Sequence, residues 1–284
     1  MTHALRYAAN CSMLLTELPL LQRPAAAKSA GFDAIEIWWP FTTSVPADAE
    51  VDEFVTAVQD AGVQLVGLNF AAGDMPGGDR GLVSWPARSD EFRDNIALTV
   101  GIGERLGTRA FNALYGNRVE GVTAAEQDDV AADNLALAGA EAARIGGVVL
   151  LEPVSGAERY PLRTAAQAVA VIERVERSHG TTNLALLADL YHLTVNGDEL
   201  SRVVAEQAAR IGHVQIADAP GRGEPGTGSL DLDEHLTALE ATGYQGWVGL
   251  EYKPTEATEA SLDWLPRQRR AAGDHATHQK ETTR

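Results

Sequence analysis

Four apolar runs in the second half of the chain each deliver a side chain suited to acid–base or metal chemistry. Val148–Leu151 leads into Glu152, Leu184–Ala188 into Asp189, and Trp247–Leu250 into Glu251; the stretch from Gly212 to Asp218 carries Gln215. In that last stretch Val214 and Ile216 share one face, while His213, Gln215 and Ala217 share the other, the period of a strand. Histidine and glutamine opposite an apolar face suit the inside of a barrel better than a solvated surface. Three carboxylates gathered at one place repel: two unit charges 4 Å apart cost roughly 4 kcal/mol at an effective dielectric of about 20. A shared proton or a cation must offset that cost. Three carboxylates, one amide oxygen and no thiolate suit a hard divalent ion, Mg²⁺ or Mn²⁺. The nearby His192 and His213 would tilt such a site toward Mn²⁺ or Zn²⁺. Any one of the acids alone could equally cap a helix or close a salt bridge; four at the same structural level argue for a site.

Those side chains need a scaffold that brings distant strand ends together. The sequence reads as strand then helix about eight times over. Strands are expected near residues 6–10, 34–38, 63–69, 109–114, 148–152, 184–189, 212–218 and 247–251. Helices are expected near 16–30, 48–61, 88–106, 123–145, 162–178, 199–211, 232–242 and 256–270. Glycine repeatedly follows a helix, as at Gly62 and Gly107, where it ends the helix at low steric cost. Eight units in 284 residues point to a single-domain (β/α)8 TIM barrel over residues 1–270, with a doubly wound open sheet as the competing arrangement. In such a barrel the active site forms at the C-terminal ends of the strands, where all four polar groups lie. Residues 271–284 are polar without an apolar period and are expected to form a mobile tail.

Composition narrows the function classes. A formal net charge of −17 opposes binding of a nucleic-acid backbone, which needs Lys and Arg to displace counterions, and it disfavours anionic membranes. One cysteine, Cys11, excludes an internal disulfide and is expected to be inert core. No apolar signal core or membrane-length apolar run is present, so a cytoplasmic protein is expected. The oligomeric state stays open, a homo-oligomer included.

Other residues could complete the site. Asn10 and Asn69 end strands and could line the mouth, or serve as turn residues. His192, three residues after Asp189, could donate to a substrate oxygen or a ligand carboxylate, or simply sit in water. Arg222 and Lys253 lie just past two strands and could hold a carboxylate or phosphate. Glu36, between Ile35 and Ile37, is either an interior acid behind the site or part of a buried salt bridge. Trp38 and Trp39 could wall the substrate or pack in the core. The glycine- and proline-rich stretch from Phe70 to Pro86 is long enough for a functional lid.

Several of these stretches resemble the hydroxypyruvate isomerase family, within the xylose-isomerase-like barrels. They are Ala9-Asn10-Cys11-Ser12-Met13, Glu152-Pro153, Asp189-Leu190-Tyr191-His192, and His213-Val214-Gln215-Ile216-Ala217-Asp218 with Pro220-Gly221-Arg222 and Glu224-Pro225-Gly226-Thr227-Gly228. The longest is Gly246-Trp247-Val248-Gly249-Leu250-Glu251-Tyr252-Lys253-Pro254. The likeness spans about residues 6 to 265. It implies a metal-dependent aldose–ketose isomerase interconverting hydroxypyruvate and tartronate semialdehyde. It also implies Glu152, Asp189, Gln215 and Glu251 as metal ligands and Glu152 and Glu251 as the acid–base pair. The expected partner is a small hydroxy-oxo acid or short ketose. A 2-oxo-tetronate isomerase or a ketose 3-epimerase on the same barrel are the alternatives. A barrel endonuclease ranks last, because it wants many histidines and a basic groove.

Overall fold

The computed structural model describes residues 1–271. Its strands are β1 (Arg6–Asn10), β2 (Ala34–Ile37), β3 (Gln64–Asn69), β4 (Ala110–Asn112), β5 (Val148–Leu151), β6 (Leu184–Asp189), β7 (Ile211–Ile216) and β8 (Trp247–Leu250). They pair in chain order and close on themselves, β8 lying parallel to β1. Closure rules out the open sheet and gives the expected (β/α)8 barrel. The helices are α1 (Arg23–Ser29), α2 (Asp48–Ala61), α3 (Ser89–Leu106), α4 (Ala124–Ala143), α5 (Ala165–His179), α6 (Leu190–Val195), α7 (Leu200–Gln207), α8 (Leu232–Ala241) and α9 (Arg267–Arg270).

Local chemistry sets most boundaries. The Thr164 side chain accepts the Gln167 amide while Gln167 reaches back to the Thr164 N–H, and α5 ends at Gly180 with φ 70°, a reciprocal N-cap and a left-handed C-cap. Three expectations fail for equally local reasons. No helix runs from Thr16: α1 begins at Arg23, because Pro19 disfavours helical geometry at Leu18 and Pro24 fits the first helical turn. No helix spans Glu256 to Arg270: a 3₁₀ turn at Ala260–Leu262 and the one-turn α9 flank Pro266. The unforeseen α6 starts directly after β6, because the Asp189 carboxylate accepts the N–H groups of Tyr191 and His192 and caps it. Of the expected tail, residues 272–284 lie outside the described residues.

The register places the polar residues on one level. Asn10 pairs with Glu36, Asn69 with Asn112, and Asp189 with Gln215, which in turn pairs with Gly249. Asn10, Glu36, Asn69, Asn112, His213 and Gln215 all border one small internal cavity, so the barrel interior is polar toward the mouth. Between the strands and the helices lies the apolar core, with Phe32, Phe54, Phe92, Phe111 and Tyr252 fully buried. No helix among the described residues is long and apolar enough to cross a membrane.

Candidate active site

Glu152, Asp189, His192 and Glu251 each offer a ligand atom, and these atoms lie within 4.8 Å of one another. All four are buried, as is Gln215. β5, β6 and β8 position the acids at their C-terminal ends, and Gln215 stands one residue inside the end of β7.

Each group is held by neighbours. Glu152 Oε2 accepts from Asn112 Nδ2 at 2.7 Å. Glu251 Oε1 accepts from Arg222 Nη2 at 2.5 Å, and its Oε2 from Asn10 Nδ2 at 3.0 Å and Trp38 Nε1 at 3.4 Å. Asp189 uses Oδ1 for the α6 cap, at 2.8 and 3.1 Å. Gln215 Nε2 donates to Glu36 Oε1 at 2.8 Å. Behind them Glu36 also accepts from Asn10 at 2.8 Å and lies 2.5 Å from His213 Nε2. Glu36 is thus the interior acid, and it also contacts a buried histidine.

Among Glu152, Asp189, Gln215 and Glu251, two buried oxygens have no hydrogen-bond partner, Asp189 Oδ2 and Gln215 Oε1, and Asn112 Oδ1 beside Glu152 is unpartnered too. Leaving such atoms unsatisfied costs about 1–3 kcal/mol each. An oxygen-rich donor set with orphaned acceptors fits a hard divalent cation. His192 fits that role less well. Its Nδ1 accepts the Ser155 backbone N–H at 3.1 Å and lies 2.6 Å from Ser155 Oγ. The neutral ring therefore carries its proton on Nε2, which points at Asp189 Oδ2, 3.6 Å away, and Glu152 Oε1, 3.9 Å away. This is a donor poised for an oxygen, and burial lowers the ring's proton affinity further, despite the nearby Asp189.

The acids are tuned the other way. Burial first, and then the Asp189 charge, push the Glu152 carboxyl up to about 8. Burial likewise raises Glu251 well above the ordinary carboxylate range, although Arg222 opposes it. Burial works against the Arg222 charge, but Glu251, Asp189 and Glu152 together hold its proton more firmly.

Arg222 therefore lies inside the acidic cluster rather than at its rim. Its backbone is pinned there at φ 59°, with its carbonyl accepting the Lys253 N–H at 2.7 Å. The loop that carries it is tied to Asp218, whose carboxylate accepts the N–H groups of Ala219, Gly226, Gly228 and Leu230. Lys253 is exposed at the mouth, and Asn69 lines the cavity. Asn10 commits its Nδ2 to Glu36 and Glu251, and its Oδ1 accepts the Ser12 N–H. Cys11 is buried, its thiol pushed up to about 12 by burial. Trp38 lines the cavity, whereas Trp39 packs edge-on against Phe41.

Sequence reasoning missed Asn112, Ser155 and Arg80. Asn112 could have been found: it shares the inward parity of β4 with Ala110, but a strand drawn to Leu114 hid that it ends the strand. Ser155 and Arg80 sit on loops, where no period marks them.

A family model for the xylose isomerase-like TIM barrel matches residues 24–268. The chain belongs to that family. Within it, a Streptomyces coelicolor protein named provisionally as a hydroxypyruvate isomerase is 54% identical over 94% of this chain and 98% of its own. The hydroxypyruvate isomerase of Escherichia coli is 34% identical over 92% of this chain and 98% of its own. A 2-oxo-tetronate isomerase from Cupriavidus necator is 31% identical, covering 92% and 97%. A solved structure from Brucella melitensis, described as an AP endonuclease of family 2, superposes with a TM-score of 0.82 at 32% identity, covering 91% of this chain and 97% of that one.

Proposed function

We propose that this isomerase is a divalent-metal-dependent aldose–ketose isomerase that interconverts hydroxypyruvate and tartronate semialdehyde through an enediol. The observation that carries the proposal is the pair Glu152 and Glu251: two buried carboxyls of raised proton affinity, each offering an oxygen within 4.8 Å of the other's. The isomerases among the relatives support it.

Moving a carbonyl to the adjacent carbon needs a base to take a proton from one carbon and an acid to return it to the other. Glu152 and Glu251 supply these; burial raises the proton affinity of both, that of Glu152 to about 8. Asn112 and Asn10 fix where the two carboxyls point. The Nε2–H of His192 can donate to the carbonyl oxygen as it gains charge. Glu152, Asp189, Gln215 and Glu251 would hold the ion, Mg²⁺ or Mn²⁺, which when bound supplies positive charge for the developing oxyanion. Arg222 offsets part of the cluster's negative charge. Met75 and Pro76, from the segment between Phe70 and Pro86, wall the cavity and limit water.

A four-carbon 2-oxo acid is the second substrate reading. The cavity of about 490 Å³ has room for it, and the Cupriavidus necator relative is named for such an acid. A ketose 3-epimerase would use the same two carboxyls on a single carbon, and NMR of the product in deuterium oxide separates the outcomes. A net charge of −17 works against an endonuclease role, which needs cations along a nucleic-acid backbone.

The test is Glu251→Gln with Mn²⁺ supplied. Turnover is expected to fall by at least about a hundredfold, the usual contribution of general acid–base catalysis. Turnover within about threefold of wild type would remove Glu251 from the acid–base pair.

A further inference from the structure

Two cations that line the cavity have no acidic partner among the described residues: Arg80 and Lys253. They differ in how they are held. Lys253 is exposed, and its flexible stem makes no side-chain hydrogen bond. Arg80 is half-buried, and its Nη1 donates to two backbone carbonyls, Met75 O at 3.0 Å and Asp79 O at 2.6 Å. Carbonyl oxygens fix a guanidinium in place without neutralising it. The nearest acid in sequence, Asp79, is taken by Arg88 at 2.8 Å. Nε and Nη2 of Arg80 therefore keep their hydrogens for something else, because no protein group among the described residues accepts from them.

The backbone beneath Arg80 is also fixed. Its carbonyl accepts the Gly116 N–H at 3.0 Å, and the Gly81 N–H donates to Ala72 O at 2.9 Å. Gly81 has φ 108°, and a Cβ there would lie 1.8 Å from Leu114 O, so the segment is seated tightly on the chain after β4. The Arg80 charge reaches His192 and helps keep that imidazole neutral. Arg222, by contrast, has its charge balanced by Glu251 and, at 3.8 Å, Asp189, and its buried Nε lacks a partner.

We propose that Arg80 is the anchor for the substrate's carboxylate, gripping it through the Nε and Nη2 edge, and so selects 2-oxo acids over neutral ketoses of equal length. A planar guanidinium with two parallel N–H groups matches a carboxylate bidentately, which a lysine cannot do. This deepens the isomerase reading and rests on it. The loop from Phe70 to Pro86 thereby gains a definite role, since it delivers the specificity cation over a site whose own arginine is already charge-balanced by carboxylates.

The experiment compares wild type, Arg80→Met and Arg80→Lys, all loaded with Mn²⁺. The substrates are hydroxypyruvate and its neutral counterpart dihydroxyacetone. A charge-assisted bidentate contact is worth enough to raise KM for the acid about 30-fold in Arg80→Met, with kcat changed less than about fivefold. The change in KM for dihydroxyacetone should be at least about tenfold smaller, and Arg80→Lys should recover only part of the loss. Calorimetry with the unreactive acid D-glycerate supplies a readout apart from turnover: Arg80→Met should bind it at least about tenfold more weakly, while retained Mn²⁺ affinity shows an intact site. KM for hydroxypyruvate within about threefold of wild type, or equal losses on acid and neutral substrates, overturns the anchor. If wild type binds glycerate through Arg80 yet leaves hydroxypyruvate unchanged, the reaction assignment fails and the anchor stands. If wild type isomerises hydroxypyruvate and Arg80→Met keeps its KM, the reverse holds.

Discussion

The Glu36 carboxylate accepts the Gln215 side-chain amide at 2.8 Å, and so decides which end of that carboxamide faces the site. With Nε2 committed to Glu36, Oε1 is left buried and unpartnered. Glu36 from β2 thereby sets the chemistry of a group on β7. Substituting Glu36→Gln lets the facing amides rotate and weakens the contacts to Asn10 and His213. Removing such an outer partner typically costs about 10–100-fold in metal affinity. Titration calorimetry with Mn²⁺ should show a loss in that range with the far-ultraviolet circular dichroism retained. A Kd within about twofold of wild type would show that Gln215 needs no such orientation.

Glu36 can enter the barrel only because β8 leaves space for it. A Cβ at Gly249 would lie 2.3 Å from Glu36 Oε1 and 2.4 Å from Oε2. Gly249→Ala must therefore expel or twist a buried, triply hydrogen-bonded carboxylate. The expected loss is at least about 2 kcal/mol of stability, as for overpacking combined with broken buried polar contacts. Gly101, inside α3, is the contrasting case, since nothing lies within 4 Å of a Cβ there. Gly101→Ala should stabilise by roughly 0.5–1 kcal/mol, the helical preference of alanine over glycine. Urea unfolding of the two variants checks both signs, and similar midpoints for the two would contradict the close approach.

The barrel, its eight strands and the level of the four polar strand ends were legible because short apolar runs that close on a polar side chain, spaced between helical stretches, are a local signal. Asp189, Gln215 and Glu251 came out of that pattern together with Glu152. What remained hidden depends on partners remote in sequence. Nothing near Arg222 says that its guanidinium folds back among Asp189 and Glu251, and nothing near Asn10 says that it bridges Glu36 to Glu251. The second follows from barrel closure, which brings β1 against β8, and the first from the pairing of β7 between β6 and β8. The helical misreadings were of another kind: helix-favouring residues from Thr16 onward and from Glu256 onward outweighed Pro19 and Pro266 in the pattern, although each proline sets a boundary in the fold.

The raised carboxyls make stability depend on pH in a direction opposite to the common one. Glu152 is pushed up to about 8 by burial and by Asp189, and Glu251 is raised by burial, whereas an unfolded Glu titrates near 4.3. Between those values the metal-free folded state keeps protons that the unfolded state has released. Stability rises with pH only where the unfolded state binds more protons, so here it must fall as pH climbs from about 5 to about 8, and level off beyond. A bound divalent ion requires both carboxylates ionised, so its binding near pH 7 should release about one proton or more. Thermal unfolding after chelation should give a Tm that declines across this range, and saturating Mn²⁺ should flatten or invert the decline. Calorimetry of Mn²⁺ binding in buffers of different ionisation enthalpy measures the released protons directly. A metal-free Tm that rises steadily from pH 5 to pH 8, with no proton release on binding, would mean that the two glutamates are already ionised in the metal-free folded protein and that burial does not raise their proton affinity.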